Sequence, residues 1–204
     1  MKNLQMHNSG SAKIVFAIFL VCIGFSALGQ NKEQAAFLNQ LFGKHPETVV
    51  YQEYQPIDLS DLKKTLTRQK TYIRPDYGEW RGNTSAPARI SLSKTEIDFV
   101  IAELSVAGKQ ANWSKGLIRN SRQVSTKEVD SIFLNRNKGY PYFKRKYGSV
   151  LYHFSKPVFL RNNTVCVFYK GTSGQPESGG GGFSLYVKDN GVWKTYRFIT
   201  MWIS

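Results

Sequence analysis

Near Ser149 the chain stops repeating every three or four residues and begins to alternate, and this change of period limits the available folds more than any other feature. A helix brings residues three and four apart onto one face, and a strand brings residues two apart. Val150–Phe154, Val158–Arg161, Thr164–Lys170, Phe183–Lys188 and Val192–Trp202 are rich in β-branched and aromatic residues, which pack well on a pleated surface. Asp189-Asn190-Gly191 separates the last two segments. Asn-Gly tolerates the positive φ of a type I′ turn, so a tight antiparallel hairpin is expected there. Val165–Phe168 is apolar at every position, as a strand covered on both sides requires. The expected fold class is α+β: N-terminal helices, then a C-terminal antiparallel β-meander of at least four strands with helices packed on one face.

The first part of the chain supplies the helices. Asn31–Phe42 sets Ala35, Leu38, Leu41 and Phe42 on one side, and Thr48–Tyr54 has strand composition. A second helix is expected from Asp58, with Asp58 as its cap and Ile57 stapled onto Leu62, running into the basic segment Lys63–Lys70. Ser93-Lys94-Thr95-Glu96 has the spacing of a capping box, in which each side chain accepts the other residue's backbone N–H. Behind it Ile97, Val100, Ile101 and Leu104 form one stripe, while Phe99 and Val106 predict a neighbour on the opposite side as well. Ser125-Thr126-Lys127-Glu128 repeats the box ahead of Val129, Ile132 and Phe133. Residues 74–89 hold two prolines and two glycines and predict a long loop, with Tyr77 and Trp80 as its anchors. This loop is the expected boundary between an N-terminal helical segment, 30–89, and a main α+β body, 90–204, unless one domain spans 30–204.

Residues 1–29 read as a signal peptide. Lys2 and Lys13 make a positive leader, Ile14–Phe25 is apolar, and Ala27-x-Gly29 offers the small residues that precede a cut before Gln30. The apolar run is shorter than the ~20 residues a helix needs to cross a bilayer. The expected product is secreted or periplasmic, cleaved after Gly29, with no transmembrane segment. Cleavage removes Cys22, so Cys166 cannot form an internal disulfide. The formal net charge is +14, and +12 remains once Lys2 and Lys13 leave with the leader. Such an excess attracts polyanions. Outside the cytoplasm these are anionic polysaccharide, lipopolysaccharide or an acidic envelope protein, and no nucleic acid is expected. The same charge also serves solubility.

Cations and aromatics interleave most densely in Arg136–Tyr147. Pro141 suits a first helical residue and Gly148 a stop. On that helix Phe143 and Tyr147 share an inward face, and Lys144, Arg145 and Lys146 point outward, with Tyr142 among them. Tyr142, Lys144, Arg145 and Lys146 are the candidate ligand-binding residues. No nucleophile–base or metal-ligand spacing is visible, so no catalytic residue, metal or cofactor is assigned. His45 and His153 fall short of the three or four ligands a zinc site needs. The glycine-rich residues 171–182 precede a strand, whereas a phosphate loop precedes a helix, so a flexible connection is expected. These features predict a non-catalytic binding module for an anionic or protein partner. The alternative is a small hydrolase-type enzyme assembled around His153.

Three segments carry a resemblance. Phe154-Ser155-Lys156-Pro157-Val158-Phe159, the glycine-rich segment before Phe183, and Asn190-Gly191-Val192-Trp193-Lys194 are similar to features of a group of uncharacterised secreted proteins from Bacteroidetes-type bacteria. The leader's ending, FSALGQ, resembles theirs too. The resemblance implies export, a strand start, a loop and a hairpin, and it carries no activity. The Asn-Gly-x-Trp-Lys ending also resembles nuclear transport factor 2-like domains, which implies a cone-shaped sheet as the alternative architecture.

Overall fold

A computed structural model describes residues 32–53, 57–107, 113, 116–174 and 178–204. The leader with its cut site, Cys22, Asn31 and Tyr54 lie outside the described residues. The chain divides into two units, residues 1–36 and 37–204. In the first, residues 32–36 are described and are helical.

At the centre of the second unit is the meander. β7 (Val165–Ser173) and β8 (Gly180–Asp189) pair antiparallel from Val165↔Val187 to Thr172↔Gly180, and β9 (Val192–Phe198) returns along β8. Asn190 and Gly191 take φ of 51° and 81°, as the tight hairpin requires. β5 (Leu151–Phe154) and β6 (Val158–Leu160) lie antiparallel to β7, and β10 (Trp202–Ile203) continues along β8 beyond the end of β9. Two strands from earlier in the chain change the character of the sheet. β1 (Val49–Gln52) runs parallel to both β5 and β4 (Ser121–Val124). The order is β10-β8-β7-β5-β1-β4, with β6 also beside β7 and β9 also beside β8, and β2 (Thr71–Ile73) and β3 (Arg89–Ser91) form a separate hairpin. The fold is α+β, with a mixed sheet rather than a wholly antiparallel one.

Alternation along β7 divides the core. Val165 and Val167 face front, where α2 (Ser60–Arg68) and α3 (Lys94–Ala107) bury Leu62, Leu66, Val100 and Leu104 with them. Further along the front, α4 (Thr126–Phe133) and α5 (Gly139–Tyr147) bury Ile132 and Phe143 with Val50, Val124 and Leu151. Cys166 and Phe168 face back, where α1 (residues 37–42 of this unit) lays Phe37, Leu38 and Phe42 over Phe154, Tyr186 and Trp193. Helices therefore cover both faces and not one, because the back of β7 is as apolar as the front. Phe37 anchors the back layer, with its ring edge-on to Phe168, Tyr186 and Trp193 at centroid distances of 5.1–5.3 Å.

Local signals resolve as follows. The first capping box is reciprocal: Glu96 N–H donates to Ser93 Oγ at 3.1 Å, and Ser93 N–H donates to Glu96 Oε2 at 2.8 Å. The second is half-formed, with Glu128 N–H donating to Ser125 Oγ at 3.1 Å. α2 begins at Ser60, two residues after the expected start, and Asp58 accepts the Ser60 N–H at 2.9 Å. Phe99 and Val106 are exposed, so α3 packs through one stripe and its other side meets solvent. Residues 74–89 lie inside the 37–204 unit and are bound to the outer edge of β9. Trp80 Nε1 donates to Thr195 O at 2.8 Å, and Thr195 N–H donates to Glu79 Oε1 at 3.2 Å. Trp80 is buried and anchors the loop, whereas Tyr77 is exposed and does not. Among the described residues no helix is long and apolar enough to cross a membrane.

Candidate functional site

α5 carries all four candidate residues. It starts at Gly139, at φ 54°, two residues before Pro141, and stops at Gly148, at φ 104°. Phe143 and Tyr147 are buried with ring centroids 5.2 Å apart, and Phe133 of α4 packs against Phe143 with its ring tilted, at 5.6 Å. Lys144 and Arg145 are exposed on the far side, and Tyr142 is half-buried with Lys138 Nζ 5.3 Å from its ring centre.

Lys146 has a different role. Its Nζ lies 2.6 Å from Glu128 Oε1, and Tyr147 donates its phenolic proton to the same oxygen. Lys146, then Tyr147, hold the Glu128 carboxyl below the usual range, and Glu128 in turn raises the Lys146 ammonium. Arg122 of β4 sits 4.5 Å from the Tyr147 ring centre. The four candidates thus divide: Lys146 clasps α4 to α5, while Lys144 and Arg145 face solvent.

Glu128 and Arg122 also line a cleft of about 730 Å³ along β4, together with Glu53, Ser121 and Gln123. The parallel register explains its polarity. Val49 N–H donates to Asn120 O and Glu53 N–H to Val124 O, so alternate residues of β4 turn their backbone groups towards β1. Ser121 and Gln123 turn theirs outward, along the edge of the sheet. This cleft was not legible in the sequence, because Ser-Arg-Gln-Val is too short and too polar to register as a strand.

His153 Nε2 lies 2.9 Å from Ser173 Oγ, across β5 and β7, and burial pushes the imidazole below its usual range. No carboxylate orients it among the described hydrogen bonds. A Ser–His contact can activate a hydroxyl only if the ring is held in the right tautomer, which elsewhere is a carboxylate's task. His45 meets the Glu47 carbonyl at 3.3 Å. Among the described residues no group of three or more His, Cys, Asp or Glu is placed to hold a metal ion.

The glycine-rich residues behave differently from a loose connection. Gly171 and Gly180–Gly182 sit in paired strands, while residues 175–177 lie outside the described residues. A Cβ on Gly182 would meet the Thr200 carbonyl oxygen at 2.0 Å, and one on Gly181 would meet Trp202 Nε1 at 3.0 Å. The glycines let the chain between β9 and β10 lie close against the sheet. There Phe198 stands between two grooves of about 320 Å³ each, one shared with Tyr77 and one with Lys170, Met201 and Ile203. The chain matches no protein-family model, no curated protein and no solved structure.

Proposed function

We propose that this chain is a non-catalytic binding module, exported with cleavage after Gly29, that takes an anionic partner on the outward face of α5. One observation carries the reading. Lys144 and Arg145 stand exposed with no carboxylate at salt-bridge distance among the described residues, while the apolar side of the same helix is buried. Anionic polysaccharide, lipopolysaccharide and an acidic envelope protein all fit that chemistry, and the net charge brings them near. Intact mass of the envelope fraction tests the export.

Binding to heparin-like polysaccharide and to lipopolysaccharide, at low and at high salt, tests the ligand class. Affinity should fall steeply with salt, because exposed charges are screened beyond ~8 Å at physiological ionic strength. Lys144→Gln with Arg145→Gln should weaken binding and leave the unfolding midpoint nearly unchanged. Salt-insensitive binding, or none, refutes the reading.

The His153–Ser173 contact supports the alternative, a hydrolase. A serine-reactive phosphonate that labels Ser173, and fails to label after His153→Gln, would favour it over the binding module.

A further inference from the structure

We infer that the β9–β10 corner docks onto an anionic lipid surface. Phe198 is 65% exposed, Met201 67%, Trp202 44% and Ile203 79%, and Tyr77 faces Phe198 across a shared groove. Large apolar side chains collected in one place, and not scattered singly, mark a surface that is covered in use.

The chemistry around them selects the occupant. Among the described residues, the groove beside Phe198, Met201 and Ile203 is lined by exposed Lys170 and by no carboxylate side chain. In the neighbouring groove Arg197 is present, and Glu79, its one carboxylate among the described residues, accepts the Thr195 N–H. An apolar tip flanked by Lys170 and by Arg197, whose Nε donates to Ile73 O at 2.7 Å, is complementary to a surface with acyl chains beneath anionic headgroups. Trp202 suits the boundary of such a surface, since its ring is apolar and its N–H, donated to Tyr169 Oη at 3.1 Å, is already satisfied. The corner is small for a protein partner: it offers five side chains, against the roughly 20–30 residues a side that a stable protein interface enlists. The docking uses none of the α5 residues and is independent of the reading given for them.

The protein carries its own reporter. Of its four tryptophans, Trp80, Trp113 and Trp193 are buried, so a change in emission on docking comes from Trp202. The full chain is mixed with vesicles of phosphatidylcholine alone, and of phosphatidylcholine with an equal amount of phosphatidylglycerol. Sedimentation with the anionic vesicles, a blue shift, and quenching by brominated acyl chains are expected, with much weaker effects on the neutral vesicles. Combining Phe198→Ser, Met201→Ser and Ile203→Ser should reduce partitioning at least about tenfold, since each removes apolar area that would leave water. All three side chains are mostly exposed, so the circular dichroism spectrum should not change.

Three outcomes overturn the inference. One is no vesicle binding. Another is a blue shift that grows with protein concentration in the absence of lipid, which assigns the corner to a second copy of the chain. The last is vesicle binding that survives the triple substitution and is lost with Lys144→Gln and Arg145→Gln.

Discussion

Asp189 ends β8 with 1% of its surface exposed, and its carboxylate joins two distant parts of the chain. Oδ1 accepts the Ser85 N–H and hydroxyl, both at 2.8 Å, and Oδ2 lies 2.7 Å from Lys194 Nζ. Lys194, then Ser85, hold this carboxyl well below the carboxylate range. The folded value is thus lower than the unfolded ~3.9, so the contribution is complete above that value and is lost as pH falls through the folded one. Asp189→Ala should destabilise at neutral pH, because it leaves Ser85 and Lys194 without this acceptor, and should cost less in strong acid; urea unfolding across the pH range checks it. His153 also has a depressed folded value, through burial. The unfolded chain takes its proton first, so stability should decline as pH falls below about 6.5, and His153→Gln should flatten that decline in thermal melts. Neither contact was legible beforehand. Ser85 and Asp189 are 104 positions apart and His153 and Ser173 belong to different strands, whereas Ser93 and Glu96, three apart, announced their box directly.

Among the elements, α5 separates folding from recognition along one helix. Phe143→Ala should destabilise by roughly 3–5 kcal/mol, since the ring is fully enclosed, while Lys144→Gln should stay within about 0.5 kcal/mol. Lys146→Gln should fall between them, because it removes the ammonium that pairs with Glu128; chemical denaturation of the three variants orders them. α3 is tied at its start in a second way. Arg161 grips Glu96 through two contacts of 2.7 and 3.0 Å, and, with Ser93, holds its carboxyl down to about 2. Ser93→Ala removes only the acceptor of the Glu96 N–H and should cost the ~1 kcal/mol of an ordinary cap, read as a lower unfolding midpoint. The hairpin at Asn190-Gly191, the stripe of α3 and the inward face of α5 were all legible, because each is a local pattern. The parallel joins of β1 were not: strand composition at Val49–Gln52 says nothing of which strands will flank it, and β4 has one buried residue, Val124.

Across the whole molecule, the loop at residues 74–89 acts as a strap. Its glycines and prolines resemble a linker, yet Trp80, Glu79 and Ser85 fasten it to β8 and β9, more than a hundred positions away. Composition shows only that such a segment is irregular; whether it hangs free or is bound depends on partners that composition does not reveal. We expect residues 37–204 to unfold in one transition, with tryptophan emission and far-ultraviolet dichroism coincident. Trp80→Ala should expose the amides of β9 to hydrogen exchange before those of β7. Two resolved transitions would instead favour a division at residue 89.

Cys166, the second residue of β7, has no surface exposed. Its sulfur can meet a thiol reagent only when the sheet parts, so the speed of its alkylation counts the openings of the central strand. The purified chain without its leader, and so without Cys22, therefore carries its own stopwatch, started by the thiol reagent and read by mass.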